Sequence, residues 1–188
     1  VADIMSTDQE VTQEKYEQLL DDAKYLQDEA EALMYIIDQV PYTEVPTDGM
    51  SIIQMLALID HAQKNYYRPI IEKSFSSSRS LQLNKFESYD ETFEFSDDEK
   101  DVQKILKKIS KHRAAVLNLF DKIPLIDWER EIKSGYQSLT LFEFANKMVR
   151  DERRILKEIA DLVLIYQNNK QANRQVDAKA KQRHNIGE

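Results

Sequence analysis

Three observations predict an all-α four-helix bundle. Only three glycines and four prolines punctuate 188 residues, too few for the many tight turns of a β-sandwich or barrel. Four segments carry apolar residues at three-and-four spacing, the pattern of a helix with one buried face. A single long aperiodic stretch separates the second segment from the third. It is long enough to travel the height of a bundle, whereas the other connections suit antiparallel neighbours, and the predicted order is up-down-down-up.

The first helix is expected over Glu10 to Gln39, with its apolar stripe on Tyr16, Leu19, Leu20, Ala23, Leu26, Ala30, Leu33 and Ile37. Pro41, Pro46 and the Thr47-Asp48-Gly49 run stop it. Ser51 followed three residues later by Gln54 reads as the capping box of a second helix that runs to about Lys73. Its stripe is Ile52, Met55, Ile59, Ala62, Tyr66 and Ile70, and Pro69 is expected to bend the final turn. Residues 75–95 lack helical periodicity, and Phe86, Tyr89, Phe93 and Phe95 are expected to pack over the bundle.

Ser96 with Glu99 reads as the cap of a third helix, with a stripe of Val102, Ile105, Leu106, Ile109, His112, Val116, Leu119, Phe120 and Ile123 ending at Pro124. Trp128, Gly135 and Tyr136 are placed in a loop, Trp128 as its anchor. Thr140 with Glu143 caps the fourth helix, whose inner side carries Leu141, Phe144, Met148, Asp151, Ile155, Ile159, Leu162 and Tyr166. The domain is therefore residues 1–168. Residues 169–188 form a basic tail with almost no apolar side chain, which is expected to be flexible.

Charge and composition narrow the function. The net charge of −8 argues against a nucleic-acid binder, because counterion release rewards clustered Lys and Arg. Residues 1–60 hold only Lys15 and Lys24 as cations, while the tail carries Lys170, Arg174, Lys179, Lys181 and Arg183. No cysteine is present, which removes disulfides, thiolate metal sites and cysteine nucleophiles. No apolar run approaches the roughly 18 residues of a membrane span and no signal-type segment opens the chain, so a soluble cytoplasmic protein is expected. Glycine-rich phosphate loops and G-x-S-x-G are absent. Asp21 with Asp22, Glu29 with Glu31, and Asp97 with Asp98 read as solvated faces and helix starts.

Polar residues that interrupt the apolar seams carry the functional signal, because burying such a group without a partner costs several kcal/mol. His112 stands in a core stripe, Asp151 lies between Met148 and Ile155, and His61 flanks Leu58 and Ala62. At about 1.5 Å per residue, His61 lies about 15 Å below Ser51, His112 about 24 Å below Ser96 and Asp151 about 16 Å above Thr140. All three fall near mid-height, where imidazoles and a carboxylate could hold a divalent ion or act as acid and base. Taken singly, each also fits a structural role, His112 as a hydrogen-bonded core histidine and Asp151 paired with Arg150, Arg153, Arg154 or a histidine. His184, in the tail, carries no functional weight.

The segment from Gly49 through Ser51 to His61 resembles the second-helix signature of the DinB/YfiT-like bundle family, in which a metal-binding His follows the Ser by ten residues. The segment Leu139 to Phe144, leading to Asp151-Glu152-Arg153-Arg154-Ile155-Leu156, resembles its fourth helix, and the similarity spans residues 10–168. The resemblance implies a metal triad at His61, Asp151 and Ile155. Here one ligand is kept, one is a carboxylate and one is lost, and Met50 replaces the aromatic before the Ser. His112 is the candidate to complete a noncanonical set.

Two functional readings follow. In the first, the chain is a DinB-like bundle with a degenerate, metal-free site and a non-catalytic binding or stress-associated role, in which His61 and Asp151 form a hydrogen-bonded pair. The second is a metal-dependent thiol transferase or hydrolase that uses His61, Asp151 and His112 to hold zinc or nickel, with water or a low-molecular-weight thiol at the open position. A homodimer and a small-molecule or thiol ligand are the expected partners, with no nucleic acid and no membrane. A third class, a helix-presenting interaction module, rests on the acidic first helix and the aromatic crossover.

Overall fold

Thr12 opens the first helix by accepting the Lys15 backbone N–H at 3.3 Å. That interaction satisfies one of the donors a helix start leaves free. The computed structural model describes residues 10–96 and 100–185. Helix α1 spans Gln13–Ile36 and buries Leu19, Ala23, Leu26, Ala30 and Leu33. A backbone bond from Ile53 N–H to the Tyr42 carbonyl at 3.0 Å folds the following connection back on itself. Ser51 and Gln54 then form the reciprocal capping box of α2, Ile52–Ala62.

α2 passes through a π-turn at Gln63–Tyr67 into α3, Arg68–Ser76, with Pro69 in its first turn. The expected disturbance around Pro69 takes this form. Proline has no N–H and its ring crowds the carbonyl four residues back, so the wider turn falls on the residues before it. The extra residue turns Gln63, Tyr66 and Tyr67 all into the interior.

Helix α4, Val102–Phe120, is capped by Asp101, which accepts the Lys104 N–H at 3.0 Å. The expected Ser96/Glu99 cap is thus corrected to Asp101, one residue before the first helical turn. Asp97, Asp98 and Glu99 lie outside the described residues. Helix α5 runs Leu141–Asn185, and Thr140 and Glu143 form its capping box.

Side-chain contacts give the helix directions. Gln103 reaches the Met34 carbonyl at 2.8 Å, while at the other end of both helices Tyr16 donates to Asp121 at 3.2 Å. α1 and α4 therefore run antiparallel. Trp128, just before α5, packs on Tyr16 and Phe142, and Arg153 meets Asp22 at 2.7 Å, so α5 runs with α1.

A small sheet accompanies the helices, formed by β1 (Leu81–Leu83), β2 (Glu131–Ser134) and β3 (Gln137–Thr140) in the order β1-β2-β3. The segment expected to be a loop around Gly135 and Tyr136 is a hairpin. Ser134 faces Gln137 across a two-residue turn in which Gly135 has φ +59°. A positive φ at the first turn position followed by an ordinary residue is the glycine requirement of a type II′ turn. β1 pairs parallel to β2, which ties the start of the crossover to the hairpin. Arg130 strengthens the tie by donating to the Phe75 carbonyl at 2.9 Å and the Ser74 carbonyl at 3.3 Å, at the C-terminal end of α3.

The crossover lays Phe86 and Tyr89 into the core, with Phe93 and Phe95 partly buried against it. Trp128 is fully buried against Tyr16 and Phe120. Beyond Tyr166, α5 leaves the core, and residues 167–182 are exposed throughout. No helix among the described residues is long and apolar enough to cross a membrane.

Candidate functional site

Where the crossover passes over α2 and α5 it roofs a pocket of about 370 Å³. Met50, Met55 and Leu58 come from the α2 side, Ile155 from α5, and Tyr89 and Phe93 from the crossover; Asp90, Arg154 and Glu158 supply the charges. The volume lies in the range of small-molecule sites, which combine apolar walls with a few polar groups. Arg154 donates to the Tyr89 hydroxyl, so one side of the roof is fixed to α5.

The three residues singled out in the sequence have separate partners. His61, half-buried, places Nε2 at 3.0 Å from Thr92 Oγ1 and Nδ1 at 3.0 Å from Asn65 Nδ2, and its ring stands edge-on to Phe93. His112 lies 3.7 Å from Asp60, with its side chain 23% exposed. Asp151 Oδ2 accepts from Lys147 Nζ at 2.7 Å and from the Tyr67 hydroxyl. The expected His61–Asp151 hydrogen bond is therefore corrected. The Asp151 carboxylate is held by Lys147, one turn earlier on α5, rather than by an arginine or a histidine. The side chain of His184 lies outside the described residues.

Tyr67 is fully buried, and its hydroxyl pKa is pushed strongly up, first by burial and then by its hydrogen bond to Asp151. It stays protonated and donates. The Lys147 ammonium also lies 5.9 Å from the centre of the Tyr89 ring, within cation–π range. Tyr89 thus stands between the pocket and a largely shielded cluster of Lys147, Asp151 and Tyr67.

A second polar cluster lies deeper and was missed in the sequence. Arg113 on α4 donates to Glu152 on α5 and, at 3.3 Å, to Gln63 in the π-turn, and all three are buried. Spacing admits all three without singling them out: Glu152 is four residues after Met148, Gln63 four after Ile59, and Arg113 four after Ile109 and three before Val116, a fit that His112 matches at three and four. The seam of α4 runs through Arg113 and leaves its neighbour His112 at the edge. Burial pushes the Glu152 carboxyl up to about 7 against the pull of the Arg113 guanidinium, with the nearby Asp151 charge adding to the rise.

The donor set does not suit a divalent ion. Metal sites need several unencumbered N or O donors converging on one point. Ile155 offers no donor, Asp151 is already neutralised by an ammonium, and His61 directs its ring nitrogens to Thr92 and Asn65. Among the described residues no group of three or more His, Cys, Asp or Glu side chains is placed to hold a metal.

No family model and no curated protein matches the sequence. Among solved structures the chain is similar to YfiT from Bacillus subtilis, described as a probable metal-dependent hydrolase with an unusual four-helix bundle topology. The TM-score is 0.65 at 12% identity, covering 82% of this chain and 89% of that one. That likeness establishes a YfiT-like four-helix bundle fold, and fold alone does not carry activity.

Proposed function

We propose that this chain is a non-catalytic binding protein that takes a small organic molecule into the pocket under the crossover and works without a resident metal ion. The observation that carries the reading is the 2.7 Å contact between Lys147 and Asp151. With the Tyr67 hydroxyl on the same oxygen, the carboxylate has its charge balanced and its hydrogen bonds supplied from within the chain. Both members of the ion pair are largely shielded, with side chains 13% and 20% exposed. Taking Asp151 for a metal would leave a largely shielded ammonium without its partner, which costs several kcal/mol. Ile155, at the third position of the resembling family's triad, instead forms part of the pocket wall.

A second reading, a metal-dependent hydrolase or thiol transferase, is favoured by the fold shared with YfiT. It requires His61 and Asp151 to give up their present partners. Titration of chelator-treated protein with Zn²⁺, Ni²⁺ and Co²⁺ separates the two. The binding reading expects no stoichiometric uptake; one ion per chain, lost in His61→Ala, would establish the second reading in its place.

A further inference from the structure

Three exposed charged side chains, Asp90, Arg154 and Glu158, stand at the mouth of the pocket. Arg154 and Glu158 stand one turn apart on α5 and both line the pocket, yet among the described residues neither forms an ion pair. The order Arg then Glu is the weaker one for a pair four apart on a helix. In addition, the guanidinium is drawn aside to the Tyr89 hydroxyl, a neutral acceptor. Asp90 follows Tyr89 on the roof, and it too lines the pocket without an ion pair among the described residues. The mouth therefore presents one cation and two carboxylates beside an apolar floor of Met50, Met55, Leu58 and Ile155, with the Phe93 ring alongside.

Building on the proposed binding role, we infer that the ligand is a small zwitterion with an apolar body, of which an apolar α-amino acid is the smallest member. Its carboxylate meets Arg154, its ammonium meets Asp90 and Glu158, and its side chain lies on the methionines, Leu58, Ile155 and Phe93. A guanidinium presents a planar fork of donors that matches a carboxylate in two-point contact, at the exposed mouth as elsewhere. An ammonium gains from both acids and from an aromatic face. A ligand with only one of these charges leaves the opposite charge at the mouth unanswered. Methionines line a site tolerant of side-chain shape, so discrimination falls on the charged end.

The test is calorimetric titration of the full chain with four probes sharing one ring: L-phenylalanine, N-acetyl-L-phenylalanine, L-phenylalaninamide and benzyl alcohol. L-phenylalanine is expected to bind about tenfold tighter than either singly charged derivative. Arg154→Ala should weaken L-phenylalanine and the N-acetyl derivative and spare the amide, while Asp90→Asn with Glu158→Gln should weaken L-phenylalanine and the amide and spare the N-acetyl derivative. Equal binding of all four probes, or tightest binding of a singly charged one, overturns the ligand class while leaving the pocket as a binding site. Failure of every probe, benzyl alcohol included, overturns the binding reading itself.

Discussion

Arg113 of α4 sets its guanidinium against the carboxylate of Glu152 of α5 in the middle of the bundle, with side-chain exposures of 0% and 5%. Removing either partner leaves the other charge buried alone, which typically costs about 3–5 kcal/mol. Removing both removes the desolvation penalty as well. The pair and the Gln63 amide beside it are incompletely satisfied, because Arg113 Nη1 and Gln63 Nε2 have no hydrogen-bond partner among the described residues. At pH 8, urea denaturation should show Arg113→Met and Glu152→Met each losing about 3–5 kcal/mol, and the double variant matching or exceeding the wild type. Simple addition of the two losses would show that the pair is not coupled.

The same carboxylate makes stability depend on pH. Its ordinary value is 4.5 and the fold raises it to about 7, chiefly by burial. Between those values the folded chain holds a proton that the unfolded chain has released. The contribution of Glu152 to stability therefore falls as pH rises through this window, by at most about 1.4 kcal/mol per unit. Glu152→Gln has no such proton, so the stability difference between wild type and variant isolates the group. Denaturation at four values from pH 4.5 to 7.5 should show that difference declining; a flat difference would mean the carboxyl titrates alike in both states.

If Lys147 is what occupies Asp151, restoring a missing ligand alone will not restore a metal site. Ile155→His should bind Co²⁺ no better than the wild type, because Asp151 remains tied to the ammonium and to Tyr67. Adding Lys147→Ala frees the carboxylate, and the double variant should develop the visible absorption of bound Co²⁺, lost again in a triple variant with His61→Ala. Equal Co²⁺ binding by Ile155→His with and without Lys147 would remove the ammonium from the explanation.

How much of this was legible in the sequence depends on the range of the interactions. Ser51 with Gln54 and Thr140 with Glu143 are local capping pairs read directly from spacing, and both form. The hairpin at Gly135 was hidden because Glu131–Ser134 and Gln137–Thr140 are too short to show a clear alternation, and β1 is brought to them from the distant crossover. In the site, Asp151 stands in an apolar stripe and needs a partner. Lys147, four residues earlier on the same helix, is legible from spacing alone, whereas nothing in the sequence records that the π-turn before Pro69 swings Tyr67 towards α5. On α4, three-and-four spacing from Ile109 and to Val116 admits His112 and Arg113 equally, and arginine is a residue type seldom fully buried. Only the distant partner Glu152, on another helix, decides for Arg113.

The far end of α5 gives the last prediction. Tyr166 is the last half-buried side chain among the described residues, and from 167 to 182 every side chain is exposed, so this stretch contributes helix but no core. Isolated helix of that length is marginal in water without a packed face, and Lys170, Arg174, Lys179 and Lys181 add like charge along it. A chain ended after Asn168 should keep the thermal midpoint of the full chain to within about 1 °C, since exposed residues away from specific contacts change stability by less than about 0.5 kcal/mol. It should also lose a share of far-ultraviolet helical signal that falls away on mild warming in the full chain, before the bundle melts. A drop of several degrees in the midpoint would show that the extension supports the bundle, and would move the domain boundary beyond residue 168.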